Sequence, residues 1–313
     1  MKKILIFSFV IVWFSAFSQQ ENQYTQFMHT KLLFNPAFAG AREVSSVSAL
    51  YRQQWLGFEG APVSQLVSFD APLKSKRVGL GVNLHHHTIG QVNDNYMVNL
   101  AYSYSLVRTE DVNVKFGIGA TFRHYRLELT SLNTGNTTAD PAQLQPNANT
   151  LNNGNIGGGL YFTFKDFYIG LSVPNIYRNQ LGNGSATLNA ESKPHFYGMV
   201  GGLFPLSSNI DLKPAAIVKY ATNAPFSADA NLTFVFNKKF NLGASYRTGY
   251  STKGESIDAL MFFQVNPKFG IGAAYDYNIS DLRSYQNGSF EALIRYDFSA
   301  KDKDVFTNPR FFF

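Results

Sequence analysis

The sequence predicts an all-β chain: a transmembrane up-and-down antiparallel β-barrel of about fourteen strands, or twelve if one pair is lost, with an N-terminal segment packing at the periplasmic mouth. Two observations carry this. Apolar residues recur with a period of two between Val44 and Phe298, as lipid on one face and water on the other require. The links between these segments also alternate strictly between short and long, the pattern of tight periplasmic turns and longer extracellular loops.

Residues 1–18 read as a secretory signal peptide. Lys2 and Lys3 precede an apolar run from Ile4 to Phe17, and Ala16-Phe17-Ser18 is a small-x-small cleavage pattern, so the mature chain is expected to begin near Gln19. Cys is absent, which excludes a lipoprotein signal, a disulfide framework and thiolate chemistry. Removing Lys2 and Lys3 leaves 25 basic against 21 acidic residues, a formal charge of +4 without a basic stripe, so nucleic acid is not an expected partner.

Residues 19–43 form the next unit. A bare periplasmic tail would be polar, yet this one carries Tyr24, Phe27, Phe34 and Phe38 around Pro36. These residues are the predicted plug or lid at the barrel mouth. A disordered leader is the alternative.

The barrel is assigned to residues 44–299, with strands starting near Val44, Val63, Val78, Asn95, Val112, Ile156, Phe167, Phe196, Ile210, Ser227, Phe240, Ile257, Phe269 and Ser289. From Val112 to Phe122, Val112, Val114, Phe116, Ile118, Ala120 and Phe122 share the lipid face, while Asn113, Lys115, Gly117, Gly119 and Thr121 oppose them. The last strand turns Phe290, Ala292, Ile294, Tyr296 and Phe298 outward and Glu291, Arg295 and Asp297 inward, with Leu293 the exception. The same parity points Lys115, Arg123, Lys213, Lys219, Arg247 and Asp258 inward. Small and charged residues there suit a wide polar lumen, and their mixed signs suggest salt bridges more than an ion-selective pore. The two strands around Lys165-Asp166 carry the weakest pattern, diluted by glycine. Residues 300–313 are assigned to a periplasmic tail.

Composition agrees: 29 Phe and 17 Tyr suit aromatic girdles at both interfaces, and only 15% of residues are charged. The expected location is the outer membrane of a Gram-negative bacterium.

Other features have bland readings. His85-His86-His87 lacks nearby Cys, Asp or Glu at ligand spacing and reads as a solvated loop start rather than a metal site. Asp276, Asn278, Ser280 and Asp281 lack the glycine and terminal Glu of an EF-hand loop and read as an Asx-rich turn. Ile156-Gly157-Gly158-Gly159 has no following helix to present to phosphate. With no Gly-x-Ser-x-Gly elbow either, no catalytic residue, cofactor or metal is expected.

The long links are candidates for partner binding. Those at Leu127 to Asn155 and Asn175 to Pro194 are rich in Asn, Gly and Thr and carry the anchors Leu132, Leu144, Leu151, Ile176, Tyr177 and Leu181. Trp55, Phe58 and Tyr285 lie in two others. Solvated loops that tolerate variation are the alternative reading.

Gln23-Tyr24-Thr25-Gln26-Phe27-Met28, the block Phe34-Asn35-Pro36-Ala37-Phe38-Ala39-Gly40, and Tyr51-Arg52-Gln53-Gln54-Trp55 with Gly57-Phe58 and Gly60-Ala61-Pro62 closely resemble the PorP/SprF family of the Bacteroidetes. Asn308-Pro309-Arg310-Phe311-Phe312 is similar to the family's short C-terminal tail. The resemblance implies a non-enzymatic outer-membrane component of type IX secretion and gliding motility, supporting export and surface anchoring of an adhesin-like protein through the client's C-terminal domain. Implied partners are that large secreted client, a periplasmic peptidoglycan-binding lipoprotein, the secretion translocon and outer-membrane lipid. A passive porin or hydrophobic-solute channel is the alternative that the barrel alone supports.

Overall fold

A computed structural model describes residues 22–73, 75–90, 92–127, 150–180, 191–222, 224, 226–249 and 254–298. Fourteen antiparallel strands follow one another around a closed barrel. They are β1 (Ser46–Gln53), β2 (Val63–Pro72), β3 (Val78–Ile89), β4 (Asn93–Arg108), β5 (Val112–Leu127), β6 (Thr150–Phe164), β7 (Phe167–Val173), β8 (His195–Gly202), β9 (Ile210–Ala221), β10 (Ser227–Phe236), β11 (Phe240–Arg247), β12 (Ser256–Gln264), β13 (Phe269–Asn278) and β14 (Ser289–Asp297). Closure comes from β1 pairing with β14, from Ser46 opposite Asp297 to Gln53 opposite Phe290. Phe204–Pro205 adds a two-residue strand at the base of β9, and Asn179–Gln180 pairs with Glu191–Ser192 in a separate hairpin. Both strands around Lys165-Asp166 are present, so the count is fourteen.

Local chemistry sets the tight turns. Asn237 and Lys238 take φ of 50° and 56°, and Lys239 N–H donates to Phe236 O, a type I′ connection whose twist matches the flanking strands. Before β13, the Asn266 side-chain oxygen accepts from the N–H groups of Lys268 and Phe269, an Asx turn.

Two predicted boundaries move. The link expected from His85 to Asp94 shrinks to residues 90–92, because β3 continues to Ile89 and β4 begins at Asn93. His85 and His87 therefore face the lumen, buried at 3% and 7% exposure, and do not start a solvated loop. Likewise β6 starts at Thr150 rather than Ile156, which places Leu151 on a strand opposite Tyr125 instead of in a loop. At 16, 16 and 15 residues, β4, β5 and β6 exceed the roughly ten that span a bilayer. Their outer ends meet water on both faces and lose the alternation that marks a strand.

Outward faces carry the apolar residues, Leu84, Ile118, Phe122, Leu171, Leu232 and Ile294 among them, all exposed. Tyr51, Tyr220, Tyr246, Tyr275 and Tyr277 lie near the long-loop end, and Phe69, Phe164, Phe240, Phe263 and Phe298 near the short-turn end. Tyrosine places a wet hydroxyl and an apolar ring at an interface.

The core of the molecule is inside the barrel. Residues 22–42 fold as a 3-10 turn Phe27–His29, a single helical turn α1 (Lys31–Phe34) and a second 3-10 turn Pro36–Phe38. Tyr24, Phe27, Phe34, Pro36 and Phe38 are all buried. The segment enters at the short-turn end, where Arg42 meets Asp297, and continues into the long-loop half, where Thr25 meets Asp276 and Tyr24 meets His85. The wide polar lumen read from the inward glycines is thus a filled one.

Candidate functional site

Glycines on the barrel wall make room for the segment. A Cβ on Gly79 would stand 2.0 Å from Ala39 O, one on Gly117 2.2 Å from Ala37 N, and one on Gly159 2.2 Å from Asn35 Oδ1. No side chain fits at these positions while the segment is seated. Asn35 clamps the contact: its Oδ1 accepts from Ala37 N–H at 2.9 Å, and its Nδ2 donates to Leu160 O at 3.0 Å. Ala39 O accepts from Lys115 Nζ at 2.6 Å and from Ser103 Oγ at 2.7 Å. Gly40, at φ +63°, packs against Gly79 and Pro72 while its N–H donates to Asp70, a backbone conformation that favours glycine.

In the long-loop half a buried charge network takes over. Arg52 bridges Glu291 at 2.6 Å and Asp276 at 2.7 Å, and Arg247 bridges Asp229 at 2.5 Å and Asp276 at 3.2 Å. Lys219 adds a contact to Asp229 at 2.7 Å. Thr25 sits at the centre. Its hydroxyl donates to Asp276 at 2.5 Å and accepts from Arg52 and Arg247 at 3.2 Å each, while its N–H donates to Glu291 at 2.6 Å. Buried ion pairs gain little over an apolar core but strongly penalise a missing partner, so they fix one arrangement of the segment.

The short-turn half is more cationic. Lys31, 1% exposed, has its Nζ 4.2 Å from the Tyr168 ring centroid and 5.3 Å from that of Phe38, a cation–π seat. Burial, then the charges of Lys213, Arg42 and Arg295, holds its pKa well below the usual lysine range. His29 stacks on Phe262 at 4.6 Å; burial first, and then the charge of Lys213, pushes the imidazole well below its ordinary value.

At the outer rim, two loops are tied together. Leu56 N–H donates to Gly288 O at 2.8 Å, Asn287 N–H to Leu56 O at 2.7 Å, and Trp55 N–H to Ser289 Oγ at 3.3 Å. Trp55 packs edge-on against Phe58 at 6.4 Å. Phe58, Leu282 and Tyr285 are exposed on this ridge, Tyr285 at 72%. Leu282 is a member that the sequence did not single out; its 3-10 turn, Asp281–Tyr285, carries no strand periodicity. Ile176 and Tyr177 are exposed beyond β7, held through Asn155, whose Nδ2 donates to Tyr177 O and whose Oδ1 accepts from Tyr177 N–H. Leu132, Leu144 and Leu181 lie outside the described residues. Asp276 points into the lumen, apart from Asn278, whose Oδ1 accepts from Ser280 in an Asx turn.

The sequence matches the family described as type IX secretion system membrane protein PorP/SprF over residues 16–296. The chain belongs to the PorP/SprF family. Its place is the outer membrane, in association with type IX secretion. None of the curated proteins matches the sequence. Among solved structures, Omp33 of Acinetobacter baumannii is similar at 9% identity, covering 82% of this chain and 98% of its own, with a TM-score of 0.48. The toluene transporter TbuX of Ralstonia pickettii has 10% identity, 87% and 94% coverage and a TM-score of 0.48. A FadL homologue of Pseudomonas aeruginosa has 11% identity, 84% and 93% coverage and a TM-score of 0.48.

The blocks that carry the PorP/SprF resemblance are also the ones that hold the plug. Asn35 to Gly40 sits on the glycine wall, and Thr25 and Gln26 sit on Glu291.

Proposed function

We propose that this PorP/SprF protein is a plugged anchor: it supports export of an adhesin-like client and holds the client's C-terminal domain at the cell surface through the outer rim. The observation that carries this reading is the filled lumen beneath an exposed aromatic ridge. A barrel whose bore is occupied by its own chain from Arg42 to Asn22 is poorly suited to passing solutes, while Phe58, Leu282 and Tyr285 offer the large side chains that anchor protein interfaces. On the periplasmic side, the expected partner is a peptidoglycan-binding lipoprotein, which would tie the anchored client to the cell wall. This role is non-enzymatic.

The test is a mild-detergent pull-down from the native outer membrane, with co-purifying chains identified by mass spectrometry. Recovery of a large secreted protein bound through its C-terminal domain, lost on Phe58→Ser with Tyr285→Ser, is the expected result. A barrel that purifies alone and conducts ions in planar bilayers would favour the porin reading.

A further inference from the structure

A cavity of about 170 Å³ lies in the long-loop half of the lumen, and strand register fixes the order of its wall. At the middle level Met97 of β4 stands between His85 of β3 and Arg123 of β5. One repeat outward, Asn95 stands between His87 and Tyr125; one repeat inward, Asn99 lies opposite Thr121. Asn99 Nδ2 donates to Thr121 Oγ1 at 2.8 Å, which fixes that amide with its oxygen free. The side-chain oxygens of Asn95, Asn99 and Asn175 are all buried without a hydrogen-bond donor, and Asn175 is only 8% exposed. Leu33 and Phe34 of α1 line the cavity from the plug side, and Pro174 adds a further apolar surface. Ile89 shares the inward parity of His85 and His87 yet is 42% exposed, so the cavity is open at the long-loop end.

The wall dictates the occupant. Buried acceptors need donors, so the occupant carries hydroxyl or N–H groups. The lining holds Arg123 but, among the described residues, no carboxylate, which disfavours a cation. Size is a further limit: a cavity of about 150 Å³ takes one benzene ring, so this one takes a single six-membered ring with short substituents and no polymer. Asn95 and Asn99 are two strand repeats apart, about 13 Å between Cα atoms, a gap that two amide side chains, one ring and its hydroxyl groups bridge. A sugar joins these properties, with hydroxyl groups around its edge and a C–H face for Phe34, Met97 and Pro174. We infer that the cavity is a binding site for one pyranose unit, neutral or carboxylate-bearing, held by Asn95, Asn99 and Asn175 with Arg123 beside it. Because the plug fills the lumen below, the sugar is held and not passed. The ring is the same whether it ends a glycan on a secreted protein or the headgroup of a surface glycolipid. The site is separate from the rim ridge, and the inference does not rest on the client reading.

The test uses the full mature barrel in a detergent without a sugar headgroup. Glucose, N-acetylglucosamine and glucuronate are titrated separately, with binding read by saturation-transfer NMR. At least one is expected to bind saturably, and Asn99→Leu is expected to weaken it by roughly tenfold or more, the loss of one well-placed hydrogen bond. Phe58→Ser with Tyr285→Ser should leave the binding unchanged. No saturable binding of any of the three would overturn the inference and leave ordered water as the occupant. Equal binding by Asn99→Leu and the unmutated protein would overturn it as well, because the sugar would then lie elsewhere. If Asn99→Leu does not assemble, shown by loss of heat-modifiable migration, Asn95→Ala at the outer level decides by the same criterion. Sugar recovered with the barrel from native outer membrane, attached either to a co-purifying polypeptide or to fatty acyl chains, supports the site and names its source.

Discussion

Arg52 and Glu291 face each other across the seam where the first and last barrel strands meet, with Nη1 and Oε1 2.6 Å apart. The same carboxylate accepts from the N–H groups of Thr25 and Gln26. Barrel closure and plugging therefore share one side chain. Glu291→Ala is expected to cost about 3–5 kcal/mol, the range for removing one partner of a buried pair. The check is the temperature at which the heat-modifiable folded band is lost on gels, which should fall well below that of the unmutated protein.

Gly79 tests the plug from the opposite wall. A valine there places its Cβ 2.0 Å from Ala39 O, so either strand β3 or the segment must shift. Overpacking of this kind costs about 1–3 kcal/mol. Because β3 is held by β2 and β4 on both sides, the segment is the element expected to yield. Gly79→Val should then show step conductance in planar bilayers where the unmutated protein shows none. A silent, fully stable variant would mean the wall accommodates the methyl groups and the plug stays.

Much of this was legible in the sequence, for a physical reason. Lipid on one face imposes a period of two, so the inward placement of Lys115, Arg247, Glu291 and Asp297 followed from parity alone. The meaning of the inward glycines did not. Gly117 and Gly159 read as a roomy lumen because the atoms that fill the space, Ala37 and Asn35, lie some eighty or more positions upstream and show no spacing relation to them. The outer end of β6 was equally hidden. Asn152 to Asn155 has water-compatible residues on both faces and looks like a loop, although it pairs residue by residue with β5.

The rim ridge predicts a separation of binding from stability. Phe58 and Tyr285 are exposed, and among the described residues no side-chain hydrogen bond, ion pair or ring contact joins either of them to the plug, so Phe58→Ser with Tyr285→Ser should leave thermal stability little changed. If the ridge holds a client, aromatic anchors of this kind contribute about 2 kcal/mol or more each, which is roughly thirtyfold in affinity. Quantitative binding of the purified client C-terminal domain to reconstituted barrels reads the difference. Equal affinity for both forms would remove the ridge from the interface.

His29 gives the plug a direction of pH response. Its folded pKa is held well below the ordinary value of 6.5 by burial and by the neighbouring cations, so below pH 6.5 the unfolded chain takes up a proton that the folded chain refuses. The unfolded state then binds more protons, and stability falls as the pH drops from about 6.5 toward 5. His29→Phe keeps a ring over Phe262 but cannot titrate. Melting curves across that window are expected to drop for the unmutated protein and to flatten for His29→Phe. The two forms should converge near pH 8, where the imidazole is neutral in both folded and unfolded chains. A parallel decline in both proteins would assign the acid sensitivity to another buried histidine, His87 of β3, instead.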